Sequence, residues 1–239
     1  MAIEVWFELS EIEILKRFDN QKLRDFFDNF EFIKIARKYH INFIIINKIA
    51  FVLEAIQYLN IDLKNLSEIL DFNGFEALVQ EILIKNNYNT TRNFRFSDKS
   101  NFKSKTKQVR YEIDVIGIHR NNVLIIDAKQ WKRKDSFMAM NKAANLQYQR
   151  TIALEKNPDA FFKLIQKILG ITTDIKLFLP FKLIPVMISL EDSHVRINEN
   201  QIPLVSLYNF NSFLQELPIT LRYFKTIEIK SVQTQTQLV

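Results

Sequence analysis

The sequence predicts an α/β protein. Residues 72–239 should form one mixed central sheet flanked by helices, preceded by a helical unit over residues 1–71. Three observations carry this reading. Residues 8–71 are almost continuously helical in pattern, with short breaks near Asp19-Asn20, His40 and Asn60-Ile61. From Asn73 onward, short β-branched and aromatic runs alternate with longer amphipathic ones. The stretch "YEIDVIGIHRNNVLIIDAKQW" (111–131) reads as two apolar strands joined at a polar tip.

In the N-terminal unit, the apolar stretch 43–59 contains Asn47, Lys48, Glu54 and Gln57, so it reads as a buried helix rather than a membrane span. Residues 35–49 have the spacing of a helix-turn-helix, with His40 at the turn. The would-be recognition helix offers Phe43, Ile44, Ile45 and Ile46 instead of polar base-readers, so packing is the expected role. The second unit opens on a helix with Phe75, Leu78, Val79, Ile82 and Leu83 on one face and Asn73 as its expected N-cap. A strand over 88–96 follows, then a Lys/Ser-rich loop, then the hairpin. Residues 139–169 are helical with a break near Asn157-Pro158. Residues 175–190 are strand-like with proline interruptions, and 202–207 form another short strand. A short helix in "NFNSFLQEL" and a late strand in "LRYFKTIEIKSV" complete the order.

Composition narrows the function classes. With no cysteine there is no disulfide framework, thiolate metal site or cysteine nucleophile, which fits a reducing, cytoplasmic setting. The acidic start is unlike a signal peptide, and nothing reads as a membrane segment. The net charge of +6 is unevenly distributed: residues 1–70 hold 9 Lys/Arg against 11 Asp/Glu, whereas residues 85–150 hold 15 against 5. A positive field around the hairpin suits a polyanion. His40, His119 and His194 have no ligand spacing, and His119 reads as a turn residue.

The hairpin carries the chemistry. Strict alternation puts Arg110, Glu112, Asp114 and Ile116 on one face of the first strand, and Ile125, Asp127, Lys129 and Trp131 on one face of the second. A tip centred between Arg120 and Asn121 makes paired numbers sum to 241, setting Asp114 opposite Asp127 and Glu112 opposite Lys129. Two carboxylates about 5 Å apart repel by roughly 3 kcal/mol at an effective dielectric of 20. A divalent cation removes that cost, and Mg²⁺ prefers such oxygens. Lys129 could orient an attacking water or stabilise charge developing on phosphorus. An exposed polar sheet face with a Glu112–Lys129 ion pair accounts for Lys129 equally well, but not for the opposed aspartates.

Glu76 in "GFEALVQEIL", Asp114 in "YEIDVIG" and Asp127-Ala128-Lys129 in "VLIIDAKQW" follow the order of the PD-(D/E)XK nucleases, which residues 72–190 resemble. The resemblance is to restriction-type and archaeal Holliday-junction-resolvase-like nucleases. It implies a restriction-endonuclease-like fold and a metal-dependent DNA endonuclease using Mg²⁺ or Mn²⁺. Asp114, Asp127 and the Ala128 carbonyl would be metal ligands, Lys129 would assist the nucleophilic water, and Glu76 would complete the site. Ile113 and Asp127 stand where the family often has Pro and Glu. First-turn glutamates such as Glu76 are also favoured by the helix dipole. Lys103, Lys105, Lys107 and Arg110 before the hairpin, and Lys132, Arg133 and Lys134 after it, are expected to contact phosphates, as are Lys99, Lys142 and Arg150. Trp131 could stack on a base or pack under a loop. Cutting both strands of a duplex implies two sites, hence a homodimer. The alternative is a non-catalytic DNA-binding or assembly protein that retains the fold.

Overall fold

The computed structural model describes residues 3–8, 12, 21, 25, 27–58, 70–97, 110–130, 137–190 and 197–231. The chain divides into two compact units, Met1–Leu78 and Val79–Val239. Among the described residues no helix is long and apolar enough to cross a membrane.

The first unit is not purely helical. It holds an antiparallel sheet of β1 (Glu4–Glu8), β2 (Ile33–Lys38) and β3 (Ile41–Asn47), in the order β1-β3-β2. Helix α1 spans Lys48–Tyr58, and the Asn47 side chain caps it by accepting from the Ile49 and Ala50 amides at 3.0 and 3.1 Å. A continuous apolar run satisfies helical and strand patterns alike, and here β-branching decided in favour of strand. The helix-turn-helix spacing is instead a β-hairpin. Lys38 pairs with Ile41, and Tyr39 and His40 form its two-residue loop with φ of 51° and 66°. Such loops usually carry Asn-Gly, so nothing in "YH" announced the turn. Ile44 and Phe27 form its small core with Ile33, Ile35 and Ile46.

Helix α2 (Phe72–Lys85) runs across the division between the units. Its N-terminus is capped by Asp71, whose Oδ1 accepts from the Gly74 amide at 2.8 Å, and not by Asn73. That bond holds the Asp71 carboxyl below its ordinary range.

The second unit is built on a six-stranded mixed sheet. Strands β4 (Asn89–Ser97), β5 (Arg110–His119) and β6 (Asn122–Lys129) are antiparallel neighbours. Helices α3 (Phe137–Glu155) and α4 (Pro158–Leu169) then lead to β7 (Phe181–Ser189), parallel to β6. The break between them is at Asn157-Pro158, with Asn157 accepting from the Ala160 amide as N-cap. A 3₁₀ turn over Ile175–Phe178 precedes β7. Strand β8 (Leu204–Ser206) joins one end of β7, and β9 (Ile227–Ile229) the other. Helix α5 (Leu207–Thr220) lies between them in sequence, with Ser206 as its N-cap. This is the mixed α/β architecture expected for a restriction-endonuclease-like core.

The core lies between the sheet and α4 with the end of α3, where Ile116, Ile118, Val123 and Ile125 meet Leu154, Phe161, Leu164 and Ile165. Tyr111, Ile113, Phe94 and Phe96 join the same cluster. Strict alternation along β5 would send Ile113 and Ile116 to opposite faces, so the alternation breaks between them, at Asp114 and Val115. Across β4, pairing keeps one register on both sides of Asn93 but omits it, and Asn93 takes φ of 53°. The omitted position is the one that this register would set opposite Asp114.

The hairpin turn of the first unit is directly testable. A left-handed conformation costs a non-glycine residue about 1–2 kcal/mol. His40→Gly should therefore raise the stability of this unit by about 1 kcal/mol, read as an increase in midpoint in chemical denaturation.

Candidate active site

Asp114 and Asp127 are brought together by a fork in the sheet. The β5–β6 ladder runs from His119–Asn122 to Val115–Ile126, with numbers summing to 241 as expected, and ends one residue before the aspartates. Beyond that point β5 stays paired with β4, and β6 with β7, where Asp127 pairs with Met187 and Lys129 with Ser189. The Ala128 amide donates to Asp114 Oδ2 at 3.0 Å, so a side chain substitutes for the missing cross-strand carbonyl.

Both carboxylates are buried, Asp114 at 9% and Asp127 at 1% exposure. Lys129 Nζ bridges them, 2.9 Å from Asp127 Oδ1 and 3.2 Å from Asp114 Oδ2. Arg150 on α3 places Nη1 3.2 Å from Asp127 Oδ1 and donates to Gln147 Oε1 at 3.0 Å. Gln147 is fully buried, and its Nε2 has no hydrogen-bond partner among the described residues.

Burial pushes the Asp114 carboxyl up to about 6, and the neighbouring Asp127 charge adds to the effect. The Lys129 ammonium and the Ala128 amide pull the other way. For Lys129, burial favours the neutral amine, but the two carboxylates outweigh it and hold the group above its ordinary value. Lys129 is therefore an ammonium at neutral pH. It can donate and stabilise negative charge, but it is a poor proton acceptor.

The other expected site residues fall elsewhere. Glu112 pairs with Arg95 at 2.9 Å, not with Lys129, because β4 covers that flank. Glu76 is half-buried on α2, in the part assigned to the first unit. Among the described residues no group of three or more His, Asp or Glu gathers as a metal site, so no third carboxylate joins the aspartate pair. Arg110 is exposed at the start of β5. Lys99, Lys103, Lys105, Lys107, Trp131, Lys132, Arg133, Lys134 and His194 lie outside the described residues. His119 precedes the hairpin loop and packs its ring 5.2 Å from Tyr88. Sequence reasoning missed Gln147. Its only signal was a Gln-x-x-Arg spacing on the inward side of α3.

No protein-family model matches the chain, and neither does any curated protein. Two solved structures resemble it weakly. Protein VC1899 from Vibrio cholerae is 13% identical, with a TM-score of 0.32 over 92% of this chain and 46% of that one. The chain thus spans about half the length of the Vibrio protein. The small subunit (R.BspD6I2) of the heterodimeric restriction endonuclease R.BspD6I is 14% identical, with a TM-score of 0.32 over 74% of this chain and 81% of that one.

The raised Asp114 carboxyl predicts a pH-dependent stability. The native state keeps a proton that the unfolded chain releases near its ordinary 3.8. That stabilisation, up to about 3 kcal/mol, is fully present below pH 3.8 and is lost as pH rises through about 6. Asp114→Asn mimics the protonated form. In metal-free buffer its advantage over wild type in denaturant midpoint should therefore grow between pH 4 and pH 7. Asp127→Asn leaves Lys129 and Arg150 without their shared anion, and should lower the midpoint throughout.

Proposed function

We propose that the protein is a metal-dependent endonuclease that hydrolyses phosphodiester bonds in DNA. The observation that carries the reading is two buried, adjacent carboxylates that share one ammonium at a fork in the sheet. Their donor chemistry fits Mg²⁺ or Mn²⁺, which take hard oxygen ligands. Burial, and after it the neighbouring Asp127 charge, raises the Asp114 carboxyl, and a bound cation would favour the ionised form against both. Asp114 and Asp127 would hold it, with the Ala128 carbonyl as a third protein oxygen. When bound, the cation would polarise the phosphodiester and make a water more acidic.

The chain's own groups do the rest. Lys129, fixed between the two carboxylates, offers its ammonium to the charge that develops on the phosphate oxygens. Arg150 holds Asp127 in place from α3, and Gln147 holds Arg150. The basic residues Lys103, Lys105, Lys107, Arg110, Lys132, Arg133 and Lys134 would neutralise neighbouring phosphates. A homodimer would bring two such sites to a duplex, in an intracellular setting. A second reading, a DNA-binding or assembly protein without catalysis, has its own support. Lys129 and Arg150 already neutralise the pair, and no third carboxylate joins it among the described residues.

One assay separates the two readings. Labelled linear, branched and single-stranded DNA is incubated with the protein and Mg²⁺ or Mn²⁺, with EDTA as control. Cleavage is expected, and Asp114→Ala, Asp127→Ala or Lys129→Ala should each reduce it by on the order of 100-fold. Binding without cleavage on every substrate would select the non-catalytic reading. In either case affinity should fall steeply with added salt, since the charge is concentrated around the hairpin.

A further inference from the structure

The side of α3 away from the carboxylates carries a second polar arrangement. It begins at Asn198, which is buried in a tight turn bracketed by an Ile197–Pro203 bridge. Its Oδ1 accepts from the backbone amides of Asn200 and Ile202 at 3.0 and 2.8 Å. Backbone N–H groups only donate, so this fixes which end of the side chain is oxygen. The Nδ2 end must then face α3, where it donates to Asn141 Oδ1 and Asn145 Oδ1, both at 3.0 Å. Asn145 Oδ1 accepts a second bond, from Asn200 Nδ2, at 2.8 Å.

The polarity propagates outward. With both oxygens committed to Asn198 and Asn200, Asn141 and Asn145 turn their amino groups away from the turn. Both residues line a shallow, open cleft along α3 with Met138, Lys142, Leu146 and Gln149. These positions share one face of the helix, whereas Gln147 and Arg150 lie toward the carboxylates. Among the described residues the cleft thus presents two amide donors, the Lys142 ammonium and the Gln149 amide, and no carboxylate. Met138 and Leu146 add exposed apolar surface, at 84% and 50% exposure.

We infer that this cleft binds the phosphodiester backbone of a nucleic-acid strand, as a site separate from the carboxylate pair. A ligand that meets two amino groups and an ammonium is favoured when it is an anion rich in acceptors, which describes a phosphate, and the Gln149 amide can donate to it as well. The flanking methionine and leucine suit the sugar or base attached to it. The choice of a strand over a free phosphate rests on the nuclease reading above; the donor polarity does not.

The test uses a substitution of unchanged shape. Asn145→Asp keeps an oxygen for Asn198 and Asn200 and replaces only the outward amino group with an anionic acceptor. Binding of fluorescein-labelled single-stranded and duplex DNA to the full chain is measured by anisotropy in EDTA. Asn145→Asp and Asn141→Asp should each weaken binding about tenfold, and Lys142→Ala should also weaken it, with unfolding temperatures unchanged. Gln215→Glu, on the exposed face of α5, makes the same charge change and should stay within about twofold of wild type. Equal effects of Asn145→Asp and Gln215→Glu would overturn the site. Inorganic phosphate is the second arm. If Asn145→Asp removes phosphate-induced stabilisation but leaves strand binding intact, the cleft holds free anions and the strand assignment falls. Cleavage is scored separately, so a failed nuclease assay beside weakened binding would remove the nuclease reading and leave this site standing.

Discussion

The second unit depends on how it accommodates two aspartates where a sheet should have apolar side chains. Asp114 and Asp127 are nearly inaccessible, and burying an unpaired carboxylate costs several kcal/mol. Three features offset that cost. The Ala128 amide, freed where the β5–β6 ladder ends, donates to Asp114. Lys129 lies between both anions, and Arg150 reaches Asp127 from α3. The fork is held open by pairing on its outer sides, β5 to β4 and β6 to β7. A well-packed apolar pair at these positions would be no less stable. The arrangement is therefore better understood as a device for holding charge than as a contribution to stability.

Helix α3 links this device to the rest of the unit. Its inward side supplies Arg150 and Gln147 to the aspartates, and Ala153 and Leu154 to the main core. Ala144 packs with Met187, Ile202 and Leu204, where a small side chain lets the helix approach β7 and β8. The remaining surface carries the asparagine pair set by Asn198. A long helix with so many polar positions is weakly amphipathic by pattern. Here the polar groups are assigned to distinct partners on distinct faces.

Most of the second unit was legible from local signals. Asn157-Pro158 separates two helices because proline closes one and starts the next. The hairpin register followed from the position of its loop, and holds up to the last ladder pair before Asp114. What could not be read was contributed by distant strands and helices. Arg95 claims Glu112 because β4 lies on that flank, which hairpin arithmetic alone does not include. Gln147 gains its place only once α3 packs over β6. In the first unit the failure had a different cause. The apolar run Phe43–Ile46 is too short to show a period, the Tyr39-His40 loop before it carries neither Gly nor Asn, and helix and strand templates fit it equally well.

Under the nuclease reading, charge balance constrains the order of events at the site. At neutral pH two carboxylates face Lys129 and Arg150, so the cluster is close to neutral before anything binds. A divalent cation alone would meet two resident cations at short range, and a phosphate alone would meet two buried anions. Together they nearly cancel, so each lowers the electrostatic cost of binding the other. Weak binding of metal in the absence of nucleic acid is then compatible with tight binding in its presence. The same balance gives Arg150 a role that a simple phosphate contact would not. By pairing with Asp127 it offsets the repulsion between the two carboxylates, which would otherwise drive them apart, and so holds them at the short separation that both ligands would need.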